Sequence, residues 1–171
     1  MCEIVCGVFY LCPNILIIYD SNTGNTEKLA KAVAKGVKLV CDVSVQLRRT
    51  EEVDLQEVIQ ADGYAIGSPS HFSIMSGKIL SILTKLYSLR NKMAGKPMAV
   101  FTTGTGAQVI ALENIDRIIG VFNPMFIKPG IVIETVPERA NPWKIDEKQA
   151  MNLGRKLAEA TIKDRRSVKI C

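Results

Sequence analysis

Five short apolar runs alternate along the chain with segments whose apolar residues recur at helical spacing. The runs cover residues 15–19, 43–47, 64–66, 98–101 and 131–133. The first run is aliphatic almost throughout, as expected of a strand buried on both faces of a parallel sheet. Alternation of this kind, without internal repeats or low-complexity linkers, predicts an α/β three-layer sandwich in which helices cover both sides of a five-stranded parallel sheet.

A loop of polar side chains follows the first predicted strand. Beyond Asp20 it contains Ser21, Asn22, Thr23, Gly24, Asn25 and Thr26. The residues after it have helical periodicity, so the loop would meet a helix N-terminus, where unpaired amides and the helix dipole attract an anion. The loop lacks the GxxxxGK[ST] motif of triphosphate sites and the GxGxxG motif of dinucleotide sites. It therefore predicts a site for a single phosphate; the alternative is an ordinary helix cap, for which one such residue would suffice.

Two more polar loops follow the third and fourth predicted strands. One contains Gly67, Ser68, Pro69, Ser70, His71, Phe72 and Ser73, and the other Thr102, Thr103, Gly104, Thr105, Gly106 and Ala107. In a sheet of strand order 2-1-3-4-5, all three loops leave the carboxyl edge near the switch point, where ligands bind. One ligand could then place a phosphate in the first loop and a planar group between the others, with His71 or Phe72 as the nearby ring. Taken singly, each loop is also compatible with an ordinary connection.

Length and composition predict one domain without a membrane span. The chain has 171 residues, 47% of them hydrophobic, which is enough for a sizeable core. We expect the folded domain to span residues 13–171, with residues 1–12 as an N-terminal extension. No apolar run has the length of a membrane span and the start lacks a basic signal region, so we expect a cytoplasmic protein.

The cysteines and the net charge suggest two further kinds of site. The five cysteines are odd in number and scattered, so we expect no disulfide framework. Cys2, Cys6 and Cys12 cluster, but their spacing matches no usual metal-ligand or iron–sulfur pattern, and no metal site is assigned.

The net charge is +5. Much of the excess lies along the last predicted helix, a solvated face, so we expect no nucleic-acid partner; a basic surface could bind an acidic redox partner or an anionic substrate.

The three loops resemble motifs of the flavodoxins. Residues 21–26 are similar to the S/T-x-T-G-x-T loop that holds the phosphate of flavin mononucleotide (FMN) in that family. Residues 67–77 resemble the G-[ST]-P-[ST]-x-F-x-x-M-S-G pattern of the tryptophan-repressor-binding-protein type of NAD(P)H:quinone oxidoreductases and related multimeric flavodoxins. Residues 102–106 are similar to the S-T-G-T-G loop of the same group. The resemblance extends over about residues 13–160.

The resemblance implies a flavodoxin-like fold with FMN as cofactor. The phosphate would lie on residues 21–26, the edge of the isoalloxazine ring against Ser70, His71 and Phe72, beside Ser68 and Pro69, and its pyrimidine side near residues 102–107. The implied function is electron transfer between redox partners, for which no protein acid or base is required and no catalytic residue is assigned. Two alternatives stay open: an FMN-containing quinone reductase that uses NAD(P)H, and a noncatalytic partner-binding domain. A homo-oligomer is compatible with each.

The chain also departs from its relatives and from other folds with this sheet order. Unlike electron-carrier flavodoxins it is basic and has no aromatic residue in its third loop, and it has Asn123-Pro124 where the quinone-reductase group has a histidine. A phosphorelay receiver would need an aspartate after the third strand, at the position of Gly67. A low-molecular-weight tyrosine phosphatase would need a cysteine in the first loop.

Overall fold

The computed structural model describes residues 12–106, 108–135 and 143–168, with side chains for residues 12–106, 108–135 and 146–165. The strands are β1 (Asn14–Tyr19), β2 (Ser44–Arg49), β3 (Gly63–His71), β4 (Ile74–Met75), β5 (Pro97–Gly104), β6 (Met125–Phe126) and β7 (Ile131–Glu134). The helices are α1 (Asn25–Val37), α2 (Leu55–Gln60), α3 (Gly77–Leu86), α4 (Arg90–Met93), α5 (Gln108–Gly120) and α6 (Trp143–Val168). Short 3₁₀ turns cover Thr50–Glu52 and Tyr87–Leu89.

The sheet has the predicted order but more strands than predicted. Its order is β2-β1-β3-β5-β6, with β7 also paired to β5 and β4 paired to β3. All pairs are parallel except β3 with β4. The predicted number of five strands is wrong because the described residues form seven. One extra strand is the short β4, and the other is β6, which was not predicted and precedes the predicted fifth strand, β7.

The gap between β6 and β7 has a local cause. β6 pairs with the start of β5 and β7 with its end, so the two short strands lie one after the other along the same side of β5. Pro129 lies between them and has no backbone N–H to donate to a strand ladder. The ladder therefore stops before Pro129 and resumes at Ile131.

Three strands are longer than their apolar runs predicted. β2 continues to Arg49, β3 to His71 and β5 to Gly104. The sequence interpretation assigned the ends of β3 and β5 to loops because they are rich in glycine, serine, threonine and proline. Beyond Gly67, β3 pairs with the end of β5 at Ser68 and Pro69 and with β4 at Ser70 and His71. These backbone pairings outweigh the weak strand propensity of the residues.

The core lies on both faces of the sheet. In β1, Ile15 and Ile17 pack on the side of α1 and α6, whereas Leu16 and Ile18 pack on the side of α3 and α5. This is the alternation expected of a strand covered on both faces. Helices α1 and α6 approach closely: a Cβ on Gly154 would lie 2.0 Å from the carbonyl oxygen of Val33. Glycine is therefore required at this helix contact.

The chain ends and the cysteines complete the description. The predicted extension lies outside the described residues except for Cys12, and so do Cys2 and Cys6; the domain boundary at residue 13 stays a prediction. Cys12 is disulfide-bonded, a pairing that the scattered spacing did not predict. Cys41 is a free, exposed thiol. Within the described ranges, no helix is long and apolar enough to cross a membrane, and no group of three or more His, Cys, Asp or Glu residues could hold a metal ion.

Candidate functional site

The first polar loop leaves β1 and enters α1 through a left-handed residue. Gly24 is the N-cap of α1 with φ 85°, a conformation that favours glycine. The Ser21 hydroxyl accepts hydrogen bonds from the backbone N–H groups of Gly24 (3.1 Å) and Glu27 (3.3 Å). The loop thus folds over the start of α1, and the Ser21 hydroxyl hydrogen remains able to donate to a ligand.

The side chains of the first loop divide into a buried and an exposed set. Ser21 and Thr26 are buried, with 4% and 1% of their surface exposed. Asn22 and Thr23 are exposed, and Asn25, half-buried, donates from its amide to the Thr23 hydroxyl at 3.2 Å. The hydrogen-bond donors near the N-terminus of α1 therefore comprise a buried set, Ser21 and Thr26, and a set nearer the surface, Asn22, Thr23 and Asn25.

The second predicted loop is a strand end and a tight hairpin. Ser70 pairs with Met75 and His71 with Ile74, so the turn consists of two residues. These residues, Phe72 and Ser73, have φ 50° and 67°. Two-residue turns with positive φ at both positions usually contain Asn and Gly, so phenylalanine is held here in a strained conformation. Its side chain is 100% exposed, and such strain is concentrated at functional sites.

Ser68 lies below this hairpin and is fully buried. Its hydroxyl donates to the carbonyl of Pro69 at 2.8 Å and accepts from the backbone N–H of Ser76 at 2.9 Å. Ser76 in turn caps α3 by accepting from the N–H of Ile79 at 3.3 Å. The Ser68 hydroxyl is thus already engaged in holding the hairpin to the start of α3.

The third loop begins in the buried end of β5. Thr102 and Thr103 are buried, whereas Thr105 and Gly106 are exposed. The Thr102 hydroxyl donates to the carbonyl of Gln108 at 3.0 Å, which fastens the start of α5 to the strand. Ala107, assigned to the site from the sequence, lies outside the described residues.

The three loops meet one another, as their positions after β1, β3 and β5 predicted. The first and second are joined by the Asn22 amide nitrogen and the His71 Nε2 atom, 3.4 Å apart. The first and third are joined by the hydroxyls of Thr26 and Thr103, 2.8 Å apart. The second and third are in contact at Gly104, where a Cβ would lie 2.9 Å from the Cβ of Ser70.

Several residues near the site were not assigned to it from the sequence. Asp20 is 2% exposed, and its Oδ1 atom accepts no hydrogen bond within the described part of the chain. The ammonium group of Lys78, in the first turn of α3, lies 3.7 Å from that oxygen. A carboxylate directly before a predicted anion loop indicates that a cation is nearby. The sequence alone does not show that this cation comes from α3, which is distant from Asp20 along the chain.

Arg49 is the other residue that sequence reasoning missed. It ends β2, where it stands beside Tyr19 in the parallel register. Its Nη2 atom donates to the carbonyl of Ser21 at 2.7 Å, and its guanidinium lies 5.9 Å from the centre of the Tyr19 ring. The apolar run that predicted this strand ended at residue 47, so no local signal directed attention to residue 49.

Electrostatics at the first turn of α1 keep the nearby groups in defined charge states. The hydrogen bond from Lys31 holds the pKa of Glu27 below its usual value. Burial raises the pKa of Tyr19, so its phenol is neutral at physiological pH. The surroundings of the loop therefore include a neutral phenol at Tyr19 and a carboxylate at Glu27 that is paired with Lys31.

Comparison with known proteins identifies relatives of this arrangement. A family model described as Flavodoxin matches residues 17–108, which include all three loops up to the start of α5. A flavodoxin of Aquifex aeolicus is 29% identical over 162 residues, covering 85% of each chain. An NAD(P)H dehydrogenase (quinone) of Syntrophus aciditrophicus is 28% identical over 149 residues, covering 72% of this chain and 71% of the relative. Among solved structures, a flavodoxin from the domain Archaea superimposes with a TM-score of 0.77 at 23% identity, covering 86% of this chain and 98% of the other.

Proposed function

The chain belongs to the flavodoxin family, and from this membership we propose that it binds FMN and carries electrons between redox partners. The family match implies flavin binding and agrees with the electron-transfer function predicted from the sequence. The observation that supports FMN in particular is the first loop: its donors are neutral, it is closed by a left-handed glycine, and it faces the N-terminus of α1.

The residues present fit a flavin monophosphate. Gly24 leaves open space, since no atom lies within 4 Å of the position that a Cβ would take. The first-turn amides of α1 lack intrahelical partners, as at every helix start, and the glycine at the N-cap has no side chain to accept from them. Of these amides, that of Glu27 donates to the Ser21 hydroxyl. One phosphate group in this position would receive amide and hydroxyl hydrogen bonds together with the positive end of the helix dipole.

Each loop has a distinct role in this proposal. Residues 21–26 hold the phosphate. Ser70, His71 and Phe72, with Ser68 and Pro69 behind them, flank the ring system, and residues 102–107 flank its pyrimidine side. The flavin supplies one- and two-electron chemistry when bound, and the protein supplies binding, orientation and exclusion of water. The backbone around residues 70–72 is rigid because β4 and the start of α3 hold it, so its amides are preorganised for a ring edge.

A matched pair of variants tests phosphate binding. Gly24→Asp and Gly24→Asn have side chains of nearly equal size, both tolerate positive φ, and only the first is charged. We expect the flavin-free wild-type protein and Gly24→Asn to quench FMN fluorescence in a saturable titration, and Gly24→Asp to bind at least about tenfold more weakly because its carboxylate repels the phosphate. Equal affinity of the two variants, or no saturable quenching by the wild-type protein, contradicts the proposal.

A quinone reductase is the second candidate function. The relative from Syntrophus aciditrophicus favours it, since the match extends over more than two thirds of both chains. An NAD(P)H oxidation assay with FMN and a benzoquinone distinguishes the two functions. Steady turnover supports the reductase, whereas reduction by light in separate one-electron steps, without turnover, supports the carrier.

A further inference from the structure

Arg49 connects the end of β2 to both ends of the first polar loop. Its guanidinium donates to the Ser21 carbonyl at 2.7 Å, where the loop begins. The same group lies 3.5 Å from a carboxylate oxygen of Glu27, in the first turn of α1, where the loop ends. We propose that Arg49 is a positioning residue for the flavin phosphate, which fixes the loop and makes the site selective for phosphorylated over unphosphorylated flavin.

The orientation of the guanidinium is determined by several contacts. Besides the contacts with Ser21 and Glu27, its Nε atom lies 3.5 Å from a carboxylate oxygen of Glu51, and its Cζ atom lies over the ring of Tyr19, 5.9 Å from the centre. Its side chain is 31% exposed, so the surrounding protein reduces solvent screening of its charge. A planar, forked donor held in this way defines the position of the Ser21 carbonyl more closely than a flexible ammonium group would.

Holding the Ser21 carbonyl also orients the next amide. In a planar trans peptide the C=O and the following N–H point in opposite directions. When Arg49 binds the carbonyl of Ser21, the N–H of Asn22 therefore points away from Arg49. The hydrogen bond to a cation also polarises this peptide group, which makes the Asn22 N–H a stronger donor to an anion.

The charges around the loop give Arg49 a second effect. Asp20 and Glu27 place two carboxylates beside the position proposed for a phosphate dianion, which they would repel. Three cations lie next to these carboxylates: Lys31 and Arg49 beside Glu27, and Lys78 beside Asp20. The side chains of Lys31 and Lys78 are 61% and 56% exposed, compared with 31% for Arg49, so solvent screens more of their charge. Arg49 is therefore the cation whose charge is least screened.

The neighbouring Arg48 provides a matched control. Arg48 and Arg49 are adjacent in β2, so their side chains project to opposite faces of the sheet. Their exposed fractions are nearly equal, 33% and 31%. Arg48 binds Glu57 of α2 through its Nε and Nη2 atoms and makes no hydrogen bond to the loop in the described structure. Loss of either arginine thus removes one positive charge from the same strand, together with the Glu57 ion pair of Arg48 or the Glu27 and Glu51 ion pairs of Arg49.

The test compares two ligands that differ only in the phosphate, and it rests on the proposed FMN binding. Flavin-free wild-type protein, Arg49→Met, Arg49→Lys and Arg48→Met are titrated with FMN and with riboflavin. We expect Arg49→Met to raise the Kd for FMN about tenfold and to leave the Kd for riboflavin within about twofold. Arg49→Lys should lie between the wild-type protein and Arg49→Met, and Arg48→Met should leave the ratio of the two Kd values unchanged.

Each outcome decides between the two proposals. If Arg49→Met and Arg49→Lys weaken both ligands equally, Arg49 has only a general structural role and the inference is overturned. The same conclusion follows if Arg48→Met changes the ratio as much as Arg49→Met does. If the wild-type protein binds neither ligand, the proposed function fails and the inference with it. If the wild-type protein binds FMN while Arg49→Met leaves the ratio unchanged, only the inference fails.

Discussion

The hydroxyls of Thr26 and Thr103 lie 2.8 Å apart in the buried floor of the candidate site, although 77 positions separate these residues in the chain. Both side chains are almost fully buried, at 1% and 3% exposure. The contact joins the first turn of α1 to the end of β5. It therefore couples the loop proposed for the phosphate to the loop proposed for the pyrimidine side of the ring.

A double-mutant cycle should measure this coupling. Thr26→Val and Thr103→Val each leave one buried hydroxyl without its partner, and the double variant removes both polar groups. We expect the losses of unfolding free energy in the two single variants to add up to more than the loss in the double variant. The difference, the coupling energy, should be about 1 kcal/mol. Urea denaturation of the four flavin-free proteins provides the measurement. Additive effects would show that the two hydroxyls do not stabilise each other.

Gly67→Ala should destabilise the protein. An added Cβ would lie 2.1 Å from the ring of Phe101, which is fully buried and cannot move without disturbing the core. Overpacking of this kind costs about 2 kcal/mol, measurable as a lower midpoint of urea denaturation. Gly77→Ala is the control, because no atom lies within 4 Å of its Cβ position and the residue begins α3. Equal stability of the two variants would contradict the close packing of β3 against Phe101.

Phe72→Asn should increase stability while weakening flavin binding. Asparagine tolerates the positive φ of this turn, and the fully exposed ring makes little contribution to the core, so the free energy of unfolding should rise by about 1 kcal/mol. Loss of the ring should lower FMN affinity about fivefold if the flavin stacks there. Ile74→Thr, beside the turn but outside its strained positions, should not stabilise the protein. A destabilised Phe72→Asn variant would argue against strain at this position.

The ion pair of Arg48 and Glu57 should contribute stability at neutral pH and not in acid. The hydrogen bond from Arg48 lowers the pKa of Glu57, so the pair stabilises the fold above the usual pKa of a glutamate. This contribution is lost as the pH falls through the lowered pKa of the folded state. Glu57→Gln should therefore reduce the free energy of unfolding by about 0.5 kcal/mol at about pH 7 and hardly at all at about pH 2.

An exposed glutamate gives the comparison for this pH dependence. Glu113 lies on the exposed side of α5, and Glu113→Gln should have little effect at either pH. Denaturation curves at both pH values test the two variants together. A loss of stability in Glu57→Gln that is as large in acid as at neutral pH would show that Glu57 acts through packing rather than through its charge.

Periodicity and the carboxyl-edge rule predicted much of this protein correctly. The strand order and the convergence of three loops at one edge are confirmed by the structure, and the flavodoxin-like fold and family by the comparisons. The ligand contacts of residues 21–26, 68–72 and 102–107 stay predictions. The strand ends were wrong because they depend on the ladders of neighbouring strands. For the same reason Arg49, which lies beyond the apolar run of β2, was not recognised.

Local chemistry and long-range packing thus determined different properties. The sequence by itself determined the alternation of strands and helices and the polar loops after three strands, because each depends on neighbouring residues. Only the tertiary structure decided that Arg49 binds Ser21, that Lys78 approaches Asp20 and that Phe72 occupies a strained turn. These features arise where the sheet brings distant segments together, and the neighbours of a residue in the sequence do not show which distant residue it will contact.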